Sequence, residues 1–212
     1  GGGAAMSTWA IVVAAGSGSR FGGAKQYEQL GDRRVIDWSL AAAVAATDGV
    51  VAVVAPGEAD EPAAVTTVPG GATRSGSVRA GLQAVPDGAE VVVVHDAARP
   101  LASPALFEAV IAAVADGADA ALPAVGVVDT IRRRDGSPVD RDELLAVQTP
   151  QAFSAARLRA VHAAAPEATD DASLVEAAGG TVVVVEGERR NLKITSRDDL
   201  LVAAALLEGA SP

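Results

Sequence analysis

Valine-rich apolar runs recur along the chain at positions 10–15, 50–55, 91–94, 118–123 and 181–186. Runs without a polar face suit strands covered on both sides, and so predict a mostly parallel sheet. Helical periodicity separates them and predicts helices over 35–46, 75–85, 104–115, 155–165, 172–178 and 197–207. Two of these helices carry start signals: Ser103 precedes Pro104, an N-cap with proline at N1, and Ser196 with Asp199 resembles a capping box. The alternation predicts a doubly wound, Rossmann-like α/β fold, a mixed but mostly parallel sheet flanked by helices. Ligands of such folds sit beyond the carboxyl ends of the strands, so chemistry is expected in the loops there.

One stretch breaks the alternation. Positions 127–141 form two short extended pieces around Asp135-Gly136, a hairpin turn signal, with polar, cation-rich sides that a sheet interior would not accept. They predict a projecting β-hairpin arm within 124–147, an excursion from a single domain over 6–212. The opening GGGAA at 1–5 reads as a tag or disordered tail. Projecting hairpins often pair with a second subunit, so a homodimer is expected.

Composition narrows the chemistry. The chain has 212 residues, 50% hydrophobic and 21% charged, enough for one well-buried core. A net charge of −10 argues against nucleic acid or an anionic membrane as partner, so any anion site must be a local cluster of cations. There is no cysteine, which removes disulfides, thiolate catalysis and cysteine-based zinc sites. No apolar run reaches the ~18 residues of a membrane span, and a soluble, cytoplasmic protein is expected.

The richest candidate is AIVVAAGSGSRFGGAKQ at 10–26, an apolar run opening into a loop of small residues that ends in two cations. Ala14, Ala15, Gly16 and Gly18 leave backbone N–H groups accessible to phosphate oxygens, and Arg20 and Lys25 supply positive charge. The loop is not a dinucleotide fingerprint, because Phe21 stands where the third glycine belongs. Nor is it a P-loop: Ala24 takes the lysine position after Gly23, and Gln26 replaces the Ser or Thr that would hold magnesium. A triphosphate cradle remains the reading that explains both cations.

Other motifs follow. VVVVHDAARP at 91–100 delivers Asp96 to a strand end, where its carboxylate can hold Mg²⁺ against phosphate oxygens, and Arg99 can bind phosphate or pair with Asp96. His95 reads as structural. GGATRSGSVRAGL at 70–82 places Ser75 or Ser77 at a helix start, either as a cap or as a reader of base or sugar. QTPQAF at 148–153, TDDASLVEAAG at 169–179 and NLKIT at 191–195 put Thr149, Thr169 and Lys193 at segment boundaries.

Taken in order, AAGSGSRFGGAKQ, GGATRSGSV, VHDAARP, Asp129-Thr130, QTPQAF, TDDAS and NLKIT resemble the 2-C-methyl-D-erythritol 4-phosphate cytidylyltransferases of the non-mevalonate isoprenoid pathway, over nearly the whole chain. The resemblance implies a fold of the nucleotide-diphospho-sugar transferase type and transfer of CMP from CTP, with Mg²⁺, to methylerythritol phosphate. It implies that Arg20, Lys25 and Lys193 stabilise charge at the phosphates, and that Asp96 holds the metal. Ala14, Ala15, Gly16 and Gly18 would wrap the nucleotide, with Gly71 and Ser77 near cytosine and ribose. Arg99, Thr149 and Thr169 would meet the acceptor, joined by Thr130 and Arg141 from the arm of a partner subunit.

The chain departs from the family pattern at Ala24, where a proline usually precedes the lysine, and at Ala72, where many members are polar or acidic. Loss of the proline predicts a looser loop that keeps its cation. Two other readings fit the same cradle: a cytidylyltransferase for another polyol phosphate, such as ribitol 5-phosphate, and a non-catalytic nucleotide-binding regulator.

Overall fold

The structure, a computed structural model, describes residues 6–209 apart from 17, 19, 20, 59, 60, 65, 165, 166 and 169. Its strands are β1 (Thr8–Val13), β2 (Gln29–Leu30), β3 (Arg33–Arg34), β4 (Gly49–Val54), β5 (Thr66–Pro69), β6 (Val91–Asp96), β7 (Ala120–Gly126), β8 (Ile131–Arg132), β9 (Pro138–Val139), β10 (Leu145–Val147), β11 (Gln151–Ser154) and β12 (Val182–Glu186). The helices are α1 (Val35–Ala46), α2 (Arg74–Ala84), α3 (Pro104–Ala115), α4 (Ala155–His162), α5 (Ala172–Ala177) and α6 (Arg197–Glu208).

The main sheet runs β10-β7-β11-β6-β1-β4-β5, with β12 also pairing β7. Pairs β5–β4, β4–β1, β1–β6 and β7–β12 are parallel, whereas β11 and β10 run antiparallel along successive parts of β7. Four of the valine runs owe their lack of alternation to burial on both faces; the fifth, 181–186, corrects that expectation, because β12 has no buried residue and leaves Val183 and Val184 exposed. Ala10, Val12, Val50, Ala52, Val91 and Val93 pack with Ile36 and Leu40 of α1 and Phe107 and Val110 of α3. Their neighbours Ile11, Val51, Val53, Val92 and Val94 pack on the other face with Val78 of α2, Leu158 of α4 and Val175 of α5. A third cluster, including Phe21, Leu30, Ile194 and Ala203, seats α6 beside the first loop.

Helix starts behave as their side chains dictate. Ser103 accepts from Leu106 N–H ahead of Pro104, and Ser196 with Asp199 forms the reciprocal capping box. The start of α2 corrects the expectation placed on Ser75 and Ser77: Thr73 is the N-cap, accepting from Gly76 N–H at 3.0 Å. Ser77 instead donates back to Thr73 O at 2.9 Å, the use a hydroxyl finds inside a first helical turn.

The apolar runs did not reveal β5, β10 or β11. β5 is a partly exposed edge strand, and β10 is exposed throughout, so neither carries a buried-strand pattern. β11 begins at the buried Gln151, whose polarity hides it. The predicted hairpin is present as β8 and β9 around the Asp135-Gly136 turn, with Gly136 at φ 87° and Asp135 Oδ1 accepting from Ser137 N–H. Helix α4 ends at His162, short of the expected 165, a position outside the described residues.

The fit of α2 on the sheet can be tested at Gly81, where an added Cβ would lie 2.5 Å from Ile11 Cγ2 and 3.0 Å from Val53 Cγ2. Alanine ordinarily gains about 1 kcal/mol over glycine in a helix, but overpacking costs about 1–3 kcal/mol. Gly81→Ala is therefore expected to lower the urea midpoint; a raised midpoint would show that α2 sits farther from the sheet.

Candidate active site

Register brings distant motifs to one rim. β1, β4, β5 and β6 are parallel, and Val13 lies opposite Val53 on one side and Asp96 on the other, while Val53 lies opposite Val68. The segments that follow these strands therefore emerge together. They frame a cavity of about 390 Å³ lined by Ala14, Ala15, Gly16, Lys25, Gly71, Ser77, Asp96 and Lys193, within the size range of small-molecule sites. Gly18 turns the first loop at φ 63°, where a Cβ would strike Gly23 O. At Gly71 a Cβ would lie 2.8 Å from the backbone of Gly76, so the loop before α2 can close only over a glycine. Gln26 donates to Ala14 O at 2.8 Å, tying the Lys25 turn to the end of β1.

Asp96 lies at the centre of this rim. Lys193 Nζ donates to its Oδ2 at 2.6 Å, and Arg74 Nε donates to its Oδ1 at 3.3 Å. Burial alone would raise the Asp96 pKa, but Arg74 and Lys193 outweigh it and hold the carboxyl well below the usual range. Arg74 also donates to Asp171 Oδ2 at 2.7 Å, and Asp171 Oδ1 lies 2.8 Å from His162 Nε2. Burial tends to lower the Arg74 pKa, yet Asp96 and Asp171 together raise it, so its charge is secure. Among the described residues no three His, Cys, Asp or Glu side chains cluster as a metal cage. A magnesium ion held mainly by substrate phosphates needs only one or two carboxylates, and the ionised Asp96 at the cavity wall fits that requirement.

A second cavity, of about 170 Å³, shares Arg74, Asp96 and Lys193 with the first and adds Arg99, Gln148, Thr149, Gln151 and Asp170. Thr149 precedes a cis peptide to Pro150. Its Oγ1 accepts from Asp96 N–H at 3.0 Å and lies 3.1 Å from His95 Nδ1. His95 Nε2 is 3.2 Å from Arg99 O, which can only accept, so Nε2 carries the proton and the Thr149 hydroxyl donates to Nδ1. His95 is fully buried against Phe107, and that burial pushes its pKa down to about 4. Of the two roles foreseen for Arg99, hydrogen-bonded pairing with Asp96 is not made: its guanidinium donates to Asn191 O at 2.8 Å and Val147 O at 3.3 Å.

Of the residues singled out in the sequence, Ala14, Ala15, Gly16, Lys25, Gly71, Ser77, Asp96 and Lys193 thus share the first cavity, and Arg99 and Thr149 line the second. Gly18 shapes the first loop without lining either cavity. Thr130 and Arg141 lie on the exposed arm and line neither cavity, Arg141 donating to Val128 O at 2.5 Å. Arg20 and Thr169 lie outside the described residues. Sequence reasoning missed Arg74 and Asp171. Arg74 had a signal: a cation as the first residue of a helix opposes the helix dipole and implies an anion close by.

The carboxyl-rim loops and the cations gathered at them define the class, an α/β fold of the nucleotidyltransferase type. The model of the family described as IspD: 2-C-methyl-D-erythritol 4-phosphate cytidylyltransferase matches residues 8–209, and the chain belongs to that family. It is 46% identical to the 2-C-methyl-D-erythritol 4-phosphate cytidylyltransferase of Rhodococcus opacus over 94% of each chain. It is also 46% identical to the Bifunctional enzyme IspD/IspF of Dinoroseobacter shibae over 94% of this chain and 53% of that one. The chain thus spans about half the length of several curated relatives it matches. The crystal structure of the Thermus thermophilus cytidylyltransferase superposes with a TM-score of 0.84 at 38% identity, covering 96% of this chain and 99% of that one.

Burial of neutral His95 makes stability pH-dependent. Unfolded, it takes up a proton below about pH 6.5, while folded it refuses one until about pH 4. Its contribution is complete above pH 6.5 and is lost as pH falls through that window. Between pH 7 and pH 5 the wild type is expected to lose about 2 kcal/mol more than His95→Gln in urea unfolding; equal losses would place the charge change elsewhere.

Proposed function

We propose that this chain transfers CMP from CTP to 2-C-methyl-D-erythritol 4-phosphate, releasing pyrophosphate and forming 4-diphosphocytidyl-2-C-methyl-D-erythritol. The observation that carries the reading is the pair of adjoining cavities that share Arg74, Asp96 and Lys193, with Lys25 on the larger one. In this reading the larger cavity holds CTP and the smaller holds the acceptor phosphate. An acceptor phosphate oxygen attacks the α-phosphorus, a new P–O bond forms, and the bond to the β-phosphate oxygen breaks.

The residues contribute position and charge, with no covalent intermediate. The backbone of Ala14, Ala15, Gly16 and Gly18 wraps the nucleotide, and Gly71 and Ser77 lie towards cytosine and ribose. Arg20 and Lys25 neutralise the triphosphate and the departing pyrophosphate. Lys193 stands where the cavities meet and stabilises the negative charge that builds at the α-phosphorus. Asp96 would hold Mg²⁺, which when bound neutralises phosphate charge. Arg99 and Thr149 line the smaller cavity on the acceptor's side, and Thr169 is assigned to acceptor binding by the family resemblance. The Thr149 hydroxyl donates to His95 Nδ1 and accepts from Asp96 N–H, so its remaining lone pair is open to a hydroxyl of the acceptor and not to a phosphate oxygen.

The reading includes a homodimer. Thr130 and Arg141 stand on an exposed arm, and Val128, Leu145, Val147, Val183 and Val184 are exposed apolar residues on or near that side of the sheet. In the dimer the arm of one subunit, an excursion at 124–147 from a single domain over 6–212, completes the acceptor site of the other. The protein is cytoplasmic in this reading; among the described residues no helix is long and apolar enough to cross a membrane.

Pyrophosphate release and product mass are to be measured with each nucleoside triphosphate, with and without Mg²⁺, and with methylerythritol phosphate or ribitol 5-phosphate. CTP, Mg²⁺ and methylerythritol phosphate together are expected to give turnover. Faster reaction with ribitol 5-phosphate would change the acceptor, and binding of CTP with no turnover on any acceptor would favour a regulator. Lys25→Ala is expected to lose about 10²–10³ in kcat, the range for one preorganised donor.

Sharing of sites across the dimer has its own test. Arg141→Ala and Lys193→Ala, each poorly active alone, are expected to regain activity when mixed and allowed to exchange subunits, because one site of the heterodimer then has both residues. No recovery despite demonstrated exchange would confine each site to one subunit.

A further inference from the structure

Gln148 opens the QTPQAF motif and Asn191 opens NLKIT, and the reaction as proposed uses neither. Both are buried. The Gln148 amide is fully engaged: Oε1 accepts from Glu188 N–H at 3.1 Å and Asn191 Nδ2 at 3.2 Å, while Nε2 donates to Glu188 O at 2.8 Å and Asn191 O at 3.4 Å. An amide side chain offers two donors and two acceptor lone pairs, so all its capacity is spent on one turn. That turn is closed by Asn191 N–H to Glu188 O at 3.0 Å. Asn191 Nδ2 donates also to Thr149 O at 2.9 Å, and the Glu188 carboxylate receives Ser103 N–H and hydroxyl.

Two cations hang from this clasp. Lys193 is two residues beyond Asn191, with Ile194 N–H on Ala98 O fixing the chain between them and α6. Arg99 donates to the Asn191 carbonyl and reaches Val147 O with its other nitrogen. The edge strand β10, the Thr149 turn, Arg99 and the Lys193 segment therefore meet at a single pair of amide side chains. A salt bridge to Asp96 alone would leave the long Lys193 side chain free to swing with its backbone; the clasp removes that freedom.

We propose that Gln148 and Asn191 are positioning residues that hold Lys193, and with it Arg99, at the junction of the two cavities. The kinetic part of this inference rests on the cytidylyltransfer reading; the geometric part does not. Gln148→Met keeps side-chain length and volume while removing all four hydrogen bonds, and Gln148→Asn keeps the amide one methylene short of its partners.

Steady-state kinetics of Gln148→Met, in the wild type and in a Lys193→Ala background, tests the coupling. The expected result is a kcat lower by about 10- to 100-fold, the range for groups that orient a working residue, with KM for CTP little changed. In the Lys193→Ala background the same substitution is expected to change kcat by less than about threefold, because its effect on kcat runs through Lys193, while its effect through Arg99 is read in KM for the acceptor. An equal loss in both backgrounds, or a wild-type kcat, overturns the proposal. Acylation of Lys193 by an amine-selective reagent, followed by peptide mass spectrometry without substrate, reads the same positioning whatever reaction the chain performs. Faster labelling in Gln148→Met is expected, and unchanged labelling overturns the proposal. If Gln148→Met fails to fold, Gln148→Asn carries both measurements with the same expected signs.

Discussion

The ion pairs of Asp96 hold this site together. Asp96, 8% exposed, sits at the end of the central strand β6, and its carboxylate takes Arg74 from the start of α2 and Lys193 from the segment before α6. With Asp171 on the far side of Arg74, the cluster contains two cations and two carboxylates. A buried charge is costly unless paired, and here each one is. In the proposed reaction that balance has a functional consequence: an arriving phosphate would compete with Asp96 for Lys193, so the lysine is held near the reacting centre and remains available to it.

Such a cluster demands a rigid frame. The parallel strands fix Asp96 by their register against Val13, and core packing on both faces leaves that register no freedom to slip. Neutral His95, buried beside Phe107, locks the Thr149 hydroxyl, which in turn receives the Asp96 backbone N–H. The cavity wall is thus made of backbone and carboxylate whose hydrogen bonds are already formed, the preorganisation that charge stabilisation requires.

Much of this was legible in the chain because burial on two faces writes itself as unbroken valine, and because capping residues such as Ser103 and Ser196 act locally. The same logic explains the omissions. β10 and β5 carry no buried pattern, and Gln151 disguises β11. Arg74 sat inside a motif read for its glycines and serines, although a cation at the first position of a helix is out of place without a partner anion. Asp171 differs from its neighbour Asp170 only in its partners: it is fully buried on Arg74 and His162, while Asp170 accepts from Ser173 N–H. Gln26, Gln148 and Asn191 are polar residues whose work is to tie loops together, and nothing local in sequence distinguishes that from exposure.

The sequence resemblance implies Thr130 and Arg141 at the acceptor site of a partner subunit, and the fold carries them outward on an exposed arm that lines neither cavity of its own chain. The proposed dimer accounts for that placement, while the cluster around Asp96 belongs wholly to one chain. In the proposed reaction that carboxylate is both the anchor of Lys193 and the protein ligand of a substrate-borne magnesium ion. Calorimetric titration of CTP into wild type and Asp96→Asn, each with and without Mg²⁺, addresses this double role directly. Mg²⁺ is expected to tighten CTP binding in the wild type and to have little effect in Asp96→Asn; equal tightening in both proteins would contradict it.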